Sequence, residues 1–180
     1  ATLSGLSLAV GIGLVRSLHA LGVKDAVLKW PNDVLIHGEK LAGILIELQG
    51  DMEGISTAVI GVGINLRLPD NIKQQIGQPA TDLASNAPQP INPNQLLASL
   101  LVHLHDVLHA FDQTGFSSFS EEWTTHHIYH QKPVRMIMPD GKENHGVVTG
   151  VHEDGSLLLE TATGLQRFMS GEISLRPHEQ

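Results

Sequence analysis

The chain has no cysteine and few aromatic residues: four Phe, two Trp and one Tyr among 180 residues. Without thiols it has no disulfide framework, no thiolate-ligated zinc and no cysteine nucleophile, a pattern that suits a cytoplasmic enzyme. No stretch reaches the roughly 18 apolar residues of a membrane span, and Ala1 to Val15 lacks the charged start of an export signal, so no membrane association is expected. Positive charge is scarce too: 11 Lys and Arg against 19 Asp and Glu give a formal charge of −8. That balance argues against a broad contact with a DNA backbone, although a basic pocket for one nucleotide would not show in the sum. What is present is 41% hydrophobic content, enough to bury a core. At about 100 to 200 residues per domain, the length predicts one main domain with a small appendage.

Leu6, Val10, Gly13, Leu14, Leu18 and Leu21 fall at three- and four-residue steps, with Ser4 placed as N-cap and Gly22 just past the end. This predicts an amphipathic helix. Strands are expected at Ala26 to Lys29, Val34 to His37 and Leu41 to Gln49, the last two joined by a hairpin turn at His37-Gly38-Glu39. The nearly unbroken apolar run from Leu41 to Leu48 predicts a strand covered on both faces, and Ile55 to Leu66 reads as another buried strand. Arg67 to Asn92, rich in Pro, Asn and Gln, reads as a long loop with room for one helical turn, a length that usually means function or disorder. Asn92, Pro93 and Gln95 then mark the start of a helix running to Asp112, followed by a shorter one over Phe116 to Thr124. Beyond Gln131, short strands at Val134 to Met138, Glu143 to His152, Ser156 to Thr161 and Leu165 to Ser170 are separated by Asp140-Gly141, Asp154-Gly155 and Thr163-Gly164. That is the pattern of a small antiparallel barrel, and it divides the chain into 1–130 and 131–180.

Chemistry concentrates in Lys29-Trp30-Pro31-Asn32-Asp33 and in Lys40, seven residues after Asp33. Pro31 is excluded from a central strand and pushes Trp30 toward an extended conformation, so the segment is a fixed bend that can aim charges. Lys29, Asp33 and Lys40 on adjacent strands can present ammonium groups to a phosphate while the carboxylate holds a metal ion or a donor. The competing reading is a surface salt-bridge cluster. Gly61-Val62-Gly63 and Gly11-Ile12-Gly13 lack the third glycine and the strand-to-helix setting of a dinucleotide fingerprint. Glycines inside an apolar strand let a ligand or another backbone approach closely, or else mark tight packing or a bulge. Asn65 can both donate to and accept from a base edge or a phosphate. His105 with His109, and His126 with His130, have zinc-like spacing but no third ligand, so no metal is assigned to them.

Four segments together resemble bacterial biotin protein ligases: Lys29 to Asp33; Lys40-Leu41-Ala42-Gly43-Ile44-Leu45-Ile46-Glu47; Gly61-Val62-Gly63-Ile64-Asn65; and Gly171-Glu172-Ile173-Ser174-Leu175-Arg176. They occur in the family's order and span about Gly5 to Arg176. The resemblance implies an α+β fold, a mixed β-sheet flanked by helices as in class II aminoacyl-tRNA synthetases, followed by a small SH3-like β-barrel. It also implies two-step chemistry in which biotin and ATP give biotinyl-5′-adenylate, and a lysine of the biotin carboxyl carrier protein of acetyl-CoA carboxylase then takes the biotin. By the same resemblance Lys40, Lys29 and Asp33 are catalytic, with Lys40 on the biotin carboxylate and phosphate. Lys40, Gly43, Leu45, Gly61 and Gly63 would form the biotin pocket. Lys29, Asn32, Asp33, Asn65 and Arg176 would face ATP or the adenylate, with Mg²⁺ accompanying ATP near Asp33. A homodimer is compatible with the family.

Some family features have no counterpart in these 180 residues. The glycine- and arginine-rich loop that folds over biotin, and the serine and threonine that bind its ureido group, lie upstream of the first helix in the family. The winged-helix segment of DNA-binding members is also missing, and residues 67–92 lack the aromatic that some members place over adenine. The resemblance therefore implies a partial chain that keeps one wall of the pocket. Two other readings compete with a ligase: a catalytically incomplete binding or dimerisation module of the same family, and a lipoate ligase-like enzyme.

Overall fold

The structure, a computed structural model, describes residues 3–49, 57–170 and 174–177. Ile55 and Ser56 of the expected fourth strand, and Gly171, Glu172 and Ile173 of the last motif, lie outside the described residues. Helix α1 (Leu6–Ala20) ends as its sequence predicts: Gly22, at φ 89°, donates to His19 O while Val23 donates to Leu18 O. Its start differs. Gly5, in a left-handed conformation, is the N-cap, and the Ser4 hydroxyl donates instead to Asp154 O at 2.8 Å. Nor is α1 amphipathic in its surroundings, because eleven of its fifteen residues are buried between a sheet on one side and helix α4 (Pro93–Thr114) on the other. Gly11 and Gly13 make that double packing possible: a Cβ at Gly11 would lie 3.0 Å from Leu28 and one at Gly13 would lie 3.1 Å from Leu104.

The first sheet runs β1 (Val27–Lys29), β2 (Asp33–Ile36), β3 (Glu39–Gln49), β4 (Thr57–Ile64), in that spatial order. Every pairing is antiparallel, so the expected mixed sheet is corrected: short connections force consecutive strands to reverse, and the parallel contacts are the single bridges Leu28 to His127 and Lys40 to Ala80. His37 and Gly38, at φ 53° and 84°, make the tight β2–β3 turn. The expectation that β3 and β4 are covered on both faces fails. Leu45 is 61% exposed and β4 alternates exposed with half-buried residues, because α1 packs on one face only.

Residues 67–92 hold two short helices rather than one turn: α2 (Asp70–Lys73) and α3 (Leu83–Asn86), the latter capped by the buried Asp82 carboxylate. Helix α4 runs two residues past Asp112 and stops at Gly115. A 3₁₀ turn (Ser117–Phe119) leads into α5 (Ser120–His126). The remaining strands, β5 (Pro133–Ile137), β6 (Glu143–Val151), β7 (Leu157–Thr161), β8 (Gly164–Phe168) and β9 (Ser174–Pro177), form an antiparallel sheet in the order β8-β7-β6-β5-β9. Strand β9 was legible in the sequence only as part of a motif. It pairs with β5 opposite Arg176 and Arg135.

Between the two sheets the His127 ring stacks on Trp123 at 4.8 Å and meets Tyr129 edge-on at 5.9 Å. Neither ring nitrogen has a hydrogen-bond partner among the described residues. Burial, with His130, Lys29 and Lys132 nearby, lowers its pKa to about 3. Because the unfolded histidine titrates near its ordinary value, the folded state binds fewer protons between about pH 3 and 6.5. Its contribution to stability is thus complete above that window and is lost as pH falls through it, by up to about 1.4 kcal/mol per pH unit. Urea unfolding of the chain and of His127→Phe at several pH values should show a steeper acid loss in the wild type; parallel curves would contradict the buried neutral ring.

Candidate functional site

The bend between β1 and β2 is fastened on three sides. Trp30, only 1% exposed, donates its indole N–H to Gly155 O at 3.0 Å; Pro31 O accepts from the Ser7 hydroxyl; and Asn32 exchanges two 2.9 Å bonds with Ile44 of β3. The Trp30–Pro31 peptide is cis. Asn32, read from sequence as a nucleotide contact, thus has its amide committed to the backbone of β3. Held in this way, the bend presents Lys29 and Asp33 directly opposite each other in register.

Asp33 lies between two ammonium groups. Lys40 Nζ stands 2.6 Å from one carboxylate oxygen and Lys29 Nζ stands 3.9 Å from the other, and the Lys29 and Asp33 side chains are 11% and 14% exposed. A surface salt-bridge cluster does not describe groups this enclosed. Burial lowers the Lys29 pKa, Arg176 lowers it further, and Asp33 raises it against a smaller opposing effect of Lys40. Arg176, on β9, is thus near enough to Lys29 for its charge to act on that lysine. It has no carboxylate partner among the described residues; its one hydrogen bond is to Leu175 O.

Strand pairing brings the glycines to the same place. Asp33 lies opposite Gly43, Gly43 opposite Gly63, and Leu45 opposite Gly61, so that with a period of two all five share the uncovered face of the first sheet. At Gly43 a Cβ would stand 3.2 Å from Lys40 Nζ, so glycine leaves room for the lysine to lie across the strand. At Gly63 a Cβ would meet nothing within 4 Å, and at Gly61 only ordinary contacts with Leu45. The protein's own packing requires neither of these two glycines, and what they leave is an open groove of about 500 Å³ above Gly43, Leu45, Gly61 and Gly63. A second groove, lined by Asn65, Ile76, Gln78 and Ala80, meets the first at Lys40, Gly43 and Gly63.

Sequence reasoning missed how Lys40 is held. Its N–H donates to Pro79 O and its C=O accepts from Thr81 N–H, while the Asn65 amide donates to Lys40 O at 3.3 Å and to Thr81 O at 3.0 Å. Asn65 thus ties the 79–81 segment to the lysine strand. Backbone pairing of this kind leaves no side-chain signature. The second histidine pair does not form, because the chain leaves α5 in an extended conformation after His126, whose ring instead meets His19 at 5.4 Å. His105 and His109 stack at 6.4 Å. Among the described residues no group of three or more His, Asp or Glu side chains could hold a metal ion.

Family models match both parts of the chain: the biotin/lipoate A/B protein ligase family over residues 2–65, and the biotin protein ligase C-terminal domain over residues 130–176. The chain belongs to the biotin protein ligase family. The bifunctional ligase/repressor BirA of Salmonella typhimurium is 37% identical over 175 residues, covering 97% of this chain and 54% of that protein. BirA of Escherichia coli is 35% identical over 176 residues, covering 98% of this chain and 54% of that protein. The chain therefore spans about half the length of the curated relatives it matches. Among solved structures, the apo biotin protein ligase of Aquifex aeolicus superposes with a TM-score of 0.85 at 27% identity, over 98% of this chain and 76% of that one. The same ligase in complex with biotin and ATP gives 0.83 at 27% identity, over 98% and 73%.

The ion cluster gives a direct test of the site's electrostatics. Asp33→Asn removes the one carboxylate that favours the charged form of Lys29, so the Lys29 pKa should fall further, as read by carbon NMR of its side chain. An unchanged or raised value would mean that Asp33 does not govern the cluster.

Proposed function

We propose that this chain is the ATP-dependent biotin-ligating region of its protein. It would condense biotin with ATP to biotinyl-5′-AMP and then pass the biotin to a lysine of a biotin carboxyl carrier protein of acetyl-CoA carboxylase, in the cytoplasm. The observation that carries this reading is the line Asp33-Gly43-Gly63, with Lys40 lying across it where two grooves meet. Two relatives bear the name biotin--[acetyl-CoA-carboxylase] ligase, those of Paracoccus denitrificans and Mycobacterium tuberculosis, and this supports the acceptor class.

In the first step a biotin carboxylate oxygen bonds to the α-phosphorus of ATP and pyrophosphate leaves. Two anions must meet, so fixed positive charge at the meeting point stabilises the transition state more than the separated substrates. Lys40, at the junction of the grooves, is assigned that place. Its contact with Asp33 is an ion pair without hydrogen-bond alignment, so the ammonium can turn to a phosphate oxygen while keeping its counter-charge. Lys29 and Arg176 take the remaining phosphate charge. The biotin ring lies over Gly61 and Gly63 beside Leu45, while Asn65 and Asn32 hold the strands that frame the nucleotide. Mg²⁺ is normally held by one or two carboxylates together with substrate phosphates, and Asp33 is the carboxylate beside the two lysines that fits this role. When bound, the ion neutralises charge on the phosphate oxygens. In the second step the acceptor amine attacks the acyl carbon and AMP leaves.

The same reading divides the chain into a catalytic domain, 1–130, of the class II synthetase type and a C-terminal SH3-like barrel, 131–180, and allows a homodimer. A lipoate ligase-like alternative is disfavoured by the match of residues 130–176 to a model specific to biotin protein ligases.

In the full-length protein Lys40→Ala should abolish biotinyl-adenylate formation, and normal adenylate synthesis by that variant would sink the assignment. Gly63→Val should leave the melting temperature within a few degrees of the wild type, since nothing lies within 4 Å of a Cβ there. Calorimetry should nevertheless find biotin binding weakened about a hundredfold or more, as expected when a side chain fills the space of a ligand. Unchanged affinity would remove biotin from this face.

A further inference from the structure

Beyond Asn65 the chain forms a short ladder with the start of α3: Leu83 N–H donates to Asn65 O at 2.9 Å and Ala84 N–H donates to Leu66 O at 3.0 Å. One end of this ladder is the brace beneath Lys40, where the Asn65 amide donates to Lys40 O and Thr81 O. At its other end, between α3 and the start of α4, lies a pocket of about 320 Å³ that shares no lining residue with either groove. That volume is at the small end of the range for small-molecule sites. Pro88, Pro90 and Pro93 form part of the wall, and their fixed φ makes the pocket preformed rather than moulded by an occupant. Leu66 and Leu83 supply apolar surface, and Leu66 leaves 43% of its own surface uncovered there.

Only two of the lining side chains are polar, Arg67 and Gln89, and neither has a hydrogen-bond or ionic partner among the described residues. In a chain of net charge −8, Arg67 is thus a guanidinium at a pocket that contains no carboxylate. Its planar fork matches a carboxylate with two parallel bonds, and the Gln89 amide can donate a third. The rest of the wall offers apolar contact. A nucleotide would turn most of its oxygens toward leucine and proline, and a plain hydrocarbon would leave both donors unused. A single carboxylate on a short apolar tail uses every part of the pocket.

We infer that this pocket is an effector site for a short-chain monocarboxylate, which binds Arg67 and Gln89 by its head and steadies the brace of Lys40 from behind. The route is contiguous: the occupant lies on Leu66 and Leu83, these residues carry the ladder to Asn65, and Asn65 ends on Lys40 O. The carboxylate site stands apart from the ligase reading, whereas its effect on ATP rests on that reading.

The test is calorimetry of the full-length protein with hexanoate. The wild type should bind it with a Kd of about 10⁻⁴ M, within reach of a ligand of so few atoms. Hexanamide, of the same shape without the charge, should bind about tenfold more weakly. Arg67→Gln should lower hexanoate affinity to the hexanamide value. Ala84→Phe, at an exposed position of α3 on the pocket wall, should fill the space and remove binding, and both variants should keep the wild-type melting temperature. Saturating hexanoate should tighten ATP binding about fivefold in the wild type and not in Ala84→Phe, and by linkage ATP should tighten hexanoate by the same factor. Hexanoate that does not bind, or that binds both variants as well as the wild type, as an acid held in the biotin groove would, overturns the site. Equal ATP affinity with and without hexanoate overturns the effector role. A wild-type protein that binds hexanoate but no ATP overturns the ligase reading and the effector role, and leaves the carboxylate site standing.

Discussion

The site depends on one carboxylate. In a chain with few cations, Lys29, Lys40 and Arg176 are drawn to one place, and like charges so gathered repel unless something among them is negative. Asp33 is that charge, with one oxygen toward each lysine. It begins β2, immediately after the bend, so its position follows from the bend's. The bend in turn follows from Pro31, from the two Asn32 bonds to Ile44 and from the anchoring of Trp30. Enclosure strengthens the arrangement: at the low exposure of Lys29 and Asp33 the ion pairs are screened less than surface pairs. The same enclosure holds the Lys29 pKa down, so the cluster is poised rather than neutralised. An incoming anion would relieve what Asp33 only partly offsets.

A second constraint is asymmetric burial of the first sheet. Helix α1 covers one face with residues buried almost all round, and the other face carries Gly43, Leu45, Gly61 and Gly63 with no helix over them and the enclosed Asp33 at its end. Leu45 remains largely exposed there. An apolar, glycine-lined face with a charged end suits a ligand that is apolar along its body and anionic at one tip. In the proposed reading biotin's apolar valerate chain and terminal carboxylate, rather than its polar ureido ring, match these two parts of the face.

The sequence made the charged bend, the hairpin after it, the helix starting at Asn92 and the small C-terminal strands legible, because each rests on local rules: proline exclusion, a tight turn at His37-Gly38, a capped helix start and spaced turns. Of the ten candidate residues that the family resemblance implied, nine lie in or beside the two grooves or the ion cluster, and Arg176 is close enough to act on Lys29. What the sequence did not reveal was set by partners far along the chain. The burial of α1 on both sides, the exposure of β3 on one, and the diversion of Ser4 from capping to Asp154 all depend on which surfaces meet. Apolar content alone cannot distinguish a strand covered on both faces from one awaiting a ligand on the second.

The links that place the lysines run through backbone groups, which explains both their invisibility in sequence and their mechanical effect. Lys40 is held by Pro79 O and Thr81 N–H, and Trp30 by Gly155 O. A carbonyl in a strand or a tight turn cannot change rotamer, so it fixes its partner more narrowly than a side chain would. Asn65 adds a side-chain brace, but it too ends on two carbonyls. In the proposed reading Lys40 serves first a carboxylate meeting a phosphate and then an acyl phosphate meeting an amine, and such a role needs a mobile tip on an immobile base. The flexible four-carbon stem of Lys40 supplies the first, and the backbone pairing beneath it supplies the second.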